Sequence, residues 1–173
     1  YIIFRNCGES ALFTGANDHS ADFPLASAYG TSYSQVLYDA DVLYSMDTIR
    51  GVALHRFVGS NASPISRTLS LYMGHTSLDS LTSNQGTTGL TRVASGVSYN
   101  LAAQEWDTLL FTTPFVYDGH SNVLFVVEDS TGTGVSLSAA AQWYWHSSEG
   151  KMYYKYGTSS MTPTYKQPDI RFV

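Results

Sequence analysis

Aromatic residues are concentrated near the end of the chain, in two short runs separated by a glycine-containing stretch. The first run, residues 142–146, reads Gln-Trp-Tyr-Trp-His, and the second, residues 152–156, reads Met-Tyr-Tyr-Lys-Tyr. We predict that the two runs form a β-hairpin whose turn includes Glu149 and Gly150. Flat aromatic rings bind sugars, because the apolar C–H side of a pyranose can lie against a π-face. The segment is therefore a candidate glycan-binding platform.

Side-chain alternation assigns the rings of this segment to faces. Trp143 and Trp145 share one face of their strand, and Tyr154 and Tyr156 share one face of the other. We take these four rings as the candidate carbohydrate-binding residues. The competing interpretation is that one face of the hairpin points into the protein core, where bulky rings are also needed. The sequence leaves open which set of rings lies outside.

The sequence carries none of the common local motifs of catalysis. It has no G-x-S-x-G, no phosphate-binding P-loop and no G-x-G-x-x-G, and its five histidines lack the helical spacing of a zinc pair. A glycosidase would need two carboxylates facing one bond, which spacing alone neither predicts nor excludes. We therefore predict a protein that is not an enzyme, with no catalytic residues.

Two oxygen-rich turns flank the apolar run 123–127. They are the segments 118–122, Asp-Gly-His-Ser-Asn, and 128–132, Glu-Asp-Ser-Thr-Gly. Carboxylate and carbonyl oxygens of this kind can bind calcium, although Asp and Asn in turns more often bond to their own backbone. The single cysteine, Cys7, excludes a multi-cysteine metal site. We expect no cofactor and leave a structural calcium ion open.

Charge and composition narrow the classes of partner. Only 13% of the 173 residues are charged, the net charge is −5, and the basic residues are scattered. Nucleic acids and anionic membranes attract concentrated basic faces, so neither is an expected partner. No apolar run approaches the roughly 18 residues of a membrane-spanning helix, and we expect no membrane insertion. A surface rich in Tyr, Ser, Thr and Gly suits a neutral ligand such as a polysaccharide.

Turn residues punctuate the chain every eight to fifteen positions, which is typical of an all-β sandwich or barrel. Residues 35–44 fit a strand or a helix, and no linker divides the chain, so we predict one domain over residues 1–173. The predicted strands are Thr48–Val58, Arg67–Met73, Leu90–Ser98, Asp107–Phe111, Val123–Glu128, Val135–His146 and Met152–Tyr156.

Several segments together carry a resemblance to a known family. They are Ser34–Ala40, Leu69–Thr76, Leu90–Gly96, the long block Trp106–Gly132 and the closing stretch Pro168–Phe172. These segments resemble a β-sandwich module found in secreted and cell-surface proteins of Bacteroidota. The similarity covers roughly residues 23–173, and the block that begins at Trp106 is its most specific part.

The resemblance implies an extracellular, jelly-roll-like antiparallel β-sandwich, and it implies no catalytic site. Such modules sit beside fibronectin-like, immunoglobulin-like or enzyme domains, and a chain that starts at Tyr1 rather than Met fits a piece of a larger secreted or surface protein. We predict a non-catalytic carbohydrate-binding module of a glycan-active protein, which binds a neutral polysaccharide through exposed aromatic residues. The alternative is an adhesin or spacer domain that binds protein or holds neighbouring domains apart.

Overall fold

The computed structural model describes residues 2–6, 9–13, 18–20, 22–43, 46–59 and 62–173. Within these ranges no helix is long and apolar enough to cross a membrane, and the secondary structure consists of strands and two short 3-10 turns, Ala40–Leu43 and Leu137–Ala139. The strands are β1 (Ile2–Asn6), β2 (Glu9–Phe13), β3 (His19–Ser20), β4 (Ser32–Tyr38), β5 (Thr48–His55), β6 (Ile65–Thr76), β7 (Thr91–Leu101), β8 (Trp106–Val116), β9 (Asn122–Asp129), β10 (Trp143–Tyr156), β11 (Thr162–Pro168) and β12 (Ile170–Phe172).

The strands form two antiparallel sheets, so the predicted all-β sandwich is confirmed. The first sheet has the order β1-β2-β12-β5-β8, and the second has the order β11-β10-β4-β9-β6-β7, with β3 paired to β10. Eight of these strands, in the orders 2-12-5-8 and 4-9-6-7, give the arrangement of a jelly roll. The strands β10 and β11 widen the second sheet beyond β4, and this extension carries the aromatic segment.

The main hydrophobic core lies between the two sheets, and a second, smaller core lies outside them. On β9 the side chains of Val123, Phe125 and Val127 belong to the main core, whereas Leu124 and Val126 belong to the outer cluster. A strand buried on both faces reads as a continuous apolar run instead of an alternating one. The outer face of the second sheet is therefore partly covered by other residues of the chain.

Most predicted strands are present with shifted ends, but one of them starts later in the chain than predicted. The predicted strand Val135–His146 starts only at Trp143, because residues 137–139 form a 3-10 turn. In the ambiguous window 35–44, whose last residue lies outside the described residues, β4 ends at Tyr38 and a 3-10 turn follows at Ala40–Leu43. Short apolar stretches do not by themselves distinguish these conformations.

The predicted hairpin of residues 142–156 is wrong, because these residues form the single strand β10. Gly150 has a φ of 68°, which a tight turn would also need, but here it lies in an irregularity where β10 shifts its register against β11 between Ser147 and Met152. Positive φ at glycine serves bulges as readily as turns. The strand continues past this bulge and pairs with both β11 and β4.

A buried arginine joins the loops at one end of the sandwich. The Arg67 guanidinium is 1% exposed and its Nε donates to Asp129 Oδ2 at 2.9 Å. Its terminal nitrogens donate to the carbonyl oxygens of Ser27, Tyr29 and Thr133. A buried guanidinium is tolerated when its donors are satisfied in this way. Arg67 thus ties β6 to β9 and to two loops that border the outer face.

Replacing Arg67 with Met should lower the free energy of unfolding by roughly 3–5 kcal/mol, because the Asp129 carboxylate would be left buried and uncompensated. The measurement is urea denaturation followed by tryptophan fluorescence. Arg50→Met is the matched control, since Arg50 is exposed on β5, and it should change stability by less than about 0.5 kcal/mol. Equal effects of the two variants would contradict the structural role of Arg67.

Candidate functional site

The two tryptophans among the four candidate carbohydrate-binding residues are buried, so neither offers an exposed ring to a ligand. Trp143 is 1% exposed, and its indole Nε1 donates to the carbonyl oxygen of Leu25 at 3.0 Å. Trp145 is 9% exposed, the Lys166 Nζ lies 4.5 Å from its ring centroid, and the Tyr165 ring lies edge-on at 6.0 Å. Both indoles belong to the main core, which is what the competing interpretation of the segment required.

The two predicted tyrosines are half-buried and pack against other rings. Tyr154 contacts the Phe23 ring edge-on at 5.2 Å and packs against the main core. Tyr156 stacks on Tyr29 with 4.3 Å between ring centroids. Each ring therefore has one side occupied by protein. The structure brings Tyr154 and Tyr156 together, at 6.1 Å between centroids, but it separates them from any exposed indole.

A loop between β6 and β7, residues 77–90, lies across the outer face of the second sheet, and we name it the strap. Leu81 is its apolar anchor, because it is 4% exposed and packs into the outer cluster that includes Leu37 and Leu124. The Leu81 N–H also donates to the carbonyl oxygen of Gly150 at 2.6 Å. Burial of the Leu81 side chain against the apolar residues of the sheet holds the strap in place.

Gln35, on β4, clamps the far part of the strap to the sheet. Its side chain points away from the main core, yet it is 0% exposed because the strap covers it. Its Oε1 accepts the Gln85 N–H at 2.9 Å, and its Nε2 donates to the carbonyl oxygen of Gly86 at 3.0 Å. The Nε2 also donates to the hydroxyl of Tyr33 at 2.9 Å. One amide thus fixes both the strap and the phenol beside it.

Beside the clamped strap lies an open cleft of about 460 Å³. Its floor contains a row of directly opposed residues on neighbouring strands, in which Lys155 lies opposite Tyr33 and Tyr33 lies opposite Glu128. Directly opposed residues share a face, and neighbouring strands are about 4.8 Å apart. The other lining residues include Tyr72, the strap residues Asn84, Gly86 and Thr87, and Thr31, Ser130 and Gly157.

The two tyrosines of the cleft remain hydroxyl donors at physiological pH. Burial and the nearby Glu128 carboxylate raise the pKa of Tyr33, although the hydrogen bond with Gln35 opposes the shift. Burial and a hydrogen bond to Glu128 likewise raise the pKa of Tyr72, whose hydroxyl donates to Glu128 Oε2 at 3.1 Å. The Tyr33 hydroxyl accepts from Gln35, so its own proton is available for donation.

Sequence reasoning missed this cleft. Alternation along residues 152–156 puts Lys155 on the face opposite Tyr154, as the structure shows, but it gives Lys155 no ligand role, and in the sequence Glu128 belongs only to a candidate calcium turn. The available signal was the alternation of β4, where Tyr33 and Gln35 fall on the face opposite Val36. That signal is weak, because an outward tyrosine and glutamine are ordinary on an exposed strand.

The clearest imidazole–carboxylate pair in the described part of the chain is buried, and both nitrogens of its imidazole have hydrogen-bond partners. His146 Nδ1 lies 2.7 Å from Asp169 Oδ1, and His146 Nε2 lies 2.8 Å from Gln167 Oε1. The Gln167 Nε2 donates to the carbonyl oxygen of Leu37 at 2.7 Å, which fixes its amide. Burial alone would raise the pKa of Asp169, but the hydrogen bond with His146 and the His55 imidazole 3.6 Å away outweigh burial and lower the pKa. We assign this cluster a structural role.

The two turns considered for calcium have local partners in the structure. The Asp118 carboxylate accepts from the N–H groups of His120 and Ser121 and from the Ser121 hydroxyl, which is an Asx-turn arrangement. The Asp129 carboxylate binds Arg67 and accepts from Thr131. Within the described ranges, no group of three or more His, Cys, Asp or Glu side chains is arranged to hold a metal ion.

Comparison with known proteins provides no relative. No protein-family model, no curated protein and no solved structure matches this chain. Any functional interpretation of the candidate site must therefore be argued from its geometry.

Gln35→Leu should loosen the strap while leaving the sandwich folded, because it removes both bonds to Gln85 and Gly86 from a buried position. We expect amide hydrogen exchange at Gln85 to accelerate roughly 5- to 150-fold, corresponding to about 1–3 kcal/mol of local stability. Gln104→Leu is the control, since Gln104 is exposed and bonds only near its own position. Unchanged exchange at Gln85 in Gln35→Leu would contradict the clamp.

Asp169→Asn should lower the free energy of unfolding near neutral pH by about 1–3 kcal/mol, because it disturbs a buried hydrogen-bonded cluster. The lowered pKa of Asp169 means that its stabilisation is present above the unfolded value, near pH 4, and is lost as the pH falls through the folded-state pKa. Urea titrations should therefore show a smaller difference in the free energy of unfolding between wild type and variant at acid pH than at neutral pH. Asp41→Asn, at an exposed position, should show no such difference at any pH.

Proposed function

We propose that this domain is a non-catalytic carbohydrate-binding module and that the cleft beside the strap is its binding site. The observation that carries the proposal is the row Lys155–Tyr33–Glu128 on the floor of the cleft. The row combines an aromatic ring with an ammonium group and a carboxylate at strand spacing. Sugars need both kinds of partner, a flat apolar surface and convergent hydrogen-bonding groups.

Tyr33 has the properties of a stacking ring. It is half-buried, its hydroxyl is positioned by Gln35, and it lies between Lys155 and Glu128. Tyr72 is different, because it is 6% exposed and the Arg92 guanidinium lies 5.2 Å from its ring centroid. Tyr72 therefore contributes to the site by orienting the Glu128 carboxylate, and Tyr33 is the ring that a pyranose would contact.

The carboxylates of the cleft favour binding over hydrolysis. Glycoside hydrolysis uses two carboxylates that face the same bond. Of the two acidic residues in the lining, Glu128 keeps one oxygen without a protein partner, whereas the Asp129 side chain is buried and engaged with Arg67 and Thr131. The position of the domain in a secreted or cell-surface glycan-active protein, beside further domains, remains part of the proposal.

Tyr33→Ala should weaken binding by roughly 1–3 kcal/mol, which is about a 5- to 150-fold higher Kd, because one stacking ring is lost. Isothermal titration and gel retardation with a panel of soluble plant and host polysaccharides would measure the effect. Tyr165→Ala is the matched control, since Tyr165 is 47% exposed and does not line the cleft.

A second variant, Tyr156→Ala, distinguishes binding in the cleft from binding at the aromatic segment that the sequence predicted as the site. If binding is lost in Tyr156→Ala and kept in Tyr33→Ala, the ligand lies on the Tyr29–Tyr156 stack and the cleft proposal is wrong. If no polysaccharide in the panel binds, the adhesin or spacer alternative gains support instead.

A further inference from the structure

Lys155 differs from most basic residues of the protein in having no side-chain partner. Of the eight Lys and Arg side chains that the structure describes, six contact an acidic group, a carbonyl oxygen or an aromatic ring, and Lys155 and Arg50 do not. The six are Arg56, Arg67, Arg92, Lys151, Lys166 and Arg171. Only Lys155 of the unpartnered pair lines the cleft. An ammonium group at a binding site without a protein counter-charge is available to a ligand.

The carboxylate on the cleft floor makes no ion pair with Lys155 in the described part of the chain. Glu128 lies two strands from Lys155 with Tyr33 between them, which corresponds to roughly 10 Å between the backbones. The Glu128 carboxylate is also engaged by the Tyr72 hydroxyl. The cleft therefore has a cationic end and an anionic end on either side of one ring.

We infer that the sugar bound in the cleft carries a negatively charged group, a carboxylate or a sulfate, which pairs with Lys155. The inference rests on the proposed function, and it departs from the expectation that the polysaccharide is neutral. In this arrangement the anionic group lies at the Lys155 end, the ring lies on Tyr33, and sugar hydroxyls donate to Glu128. Reversed binding would place the anion against a carboxylate, so the two ends also fix the direction of the chain.

The net charge of −5 makes the inference specific to the cleft. A negatively charged protein gives an anionic polymer no general electrostatic attraction. Any preference for the charged form of a polymer must then come from a local cation. Because Lys155 is exposed, its replacement should not disturb folding, and its contribution should be that of a solvent-accessible ion pair.

The test uses two matched pairs of polymers, polygalacturonate with its carboxyl-reduced form and dextran sulfate with dextran. The affinities of wild type, Lys155→Met and Arg50→Met are measured by titration calorimetry, with urea denaturation as the check on folding. We expect wild type to bind the charged member of at least one pair roughly three- to tenfold more tightly than the neutral member. Lys155→Met should lose this preference, and Arg50→Met, which removes the same charge elsewhere, should retain it.

The pair that shows the preference identifies the anionic group as a carboxylate or a sulfate. Equal affinity for charged and neutral polymers, or equal losses in Lys155→Met and Arg50→Met, would overturn the inference. Binding to a neutral polymer that depends on Tyr33 but not on Lys155 would overturn it while leaving the proposed function intact. Absence of binding to all four polymers and to the wider polysaccharide panel would remove both.

Discussion

The arrangement of the outer face depends on one buried amide. Gln35 points out of the sandwich, where a side chain would ordinarily meet water, but the strap covers it and satisfies both ends of the amide. A buried amide that lost these partners would carry a desolvation cost, so the strap and the amide stabilise each other. The same clamp holds the Tyr33 hydroxyl and places the edge of the strap along the cleft. The Gln35 amide therefore stabilises the covered face of the sheet and also positions a residue of the candidate site.

The fold class was predictable because its signals are local. Alternation of apolar residues and the regular recurrence of turn residues are properties of short segments, and they specify strands before any partner is known. The bulge in β10 was not predictable in the same way. Glycine at positive φ is needed in a turn and in a bulge alike, and the distinction at Gly150 is made by the strands on either side, β11 and β4, which are distant in sequence.

The site was less predictable than the fold, for two physical reasons. Aromatic residues stabilise cores and bind sugars through the same properties, so the sequence identified the rings around Trp143 without identifying their environment. The cleft itself is assembled from β4, β9, β6 and β10, and Tyr33, Glu128 and Lys155 become neighbours only through strand register. No spacing along the chain connects them. Residues that meet across a sheet carry a signal only after the pairing of the strands is known.

The irregularity in β10 also determines which side chains reach solvent. Between the pairs Ser147–Lys166 and Met152–Thr164, β10 contributes residues 148–151 and β11 contributes only residue 165. The excess is an odd number, so the inward positions change from odd numbers at Trp145 to even numbers at Tyr154. A strand of uniform parity would turn Lys155 toward the apolar interior. A one-residue insertion or deletion in this strand would therefore be more damaging than a substitution at an exposed position such as Lys155, because a change of length would exchange the side chains that face solvent with those that face the core.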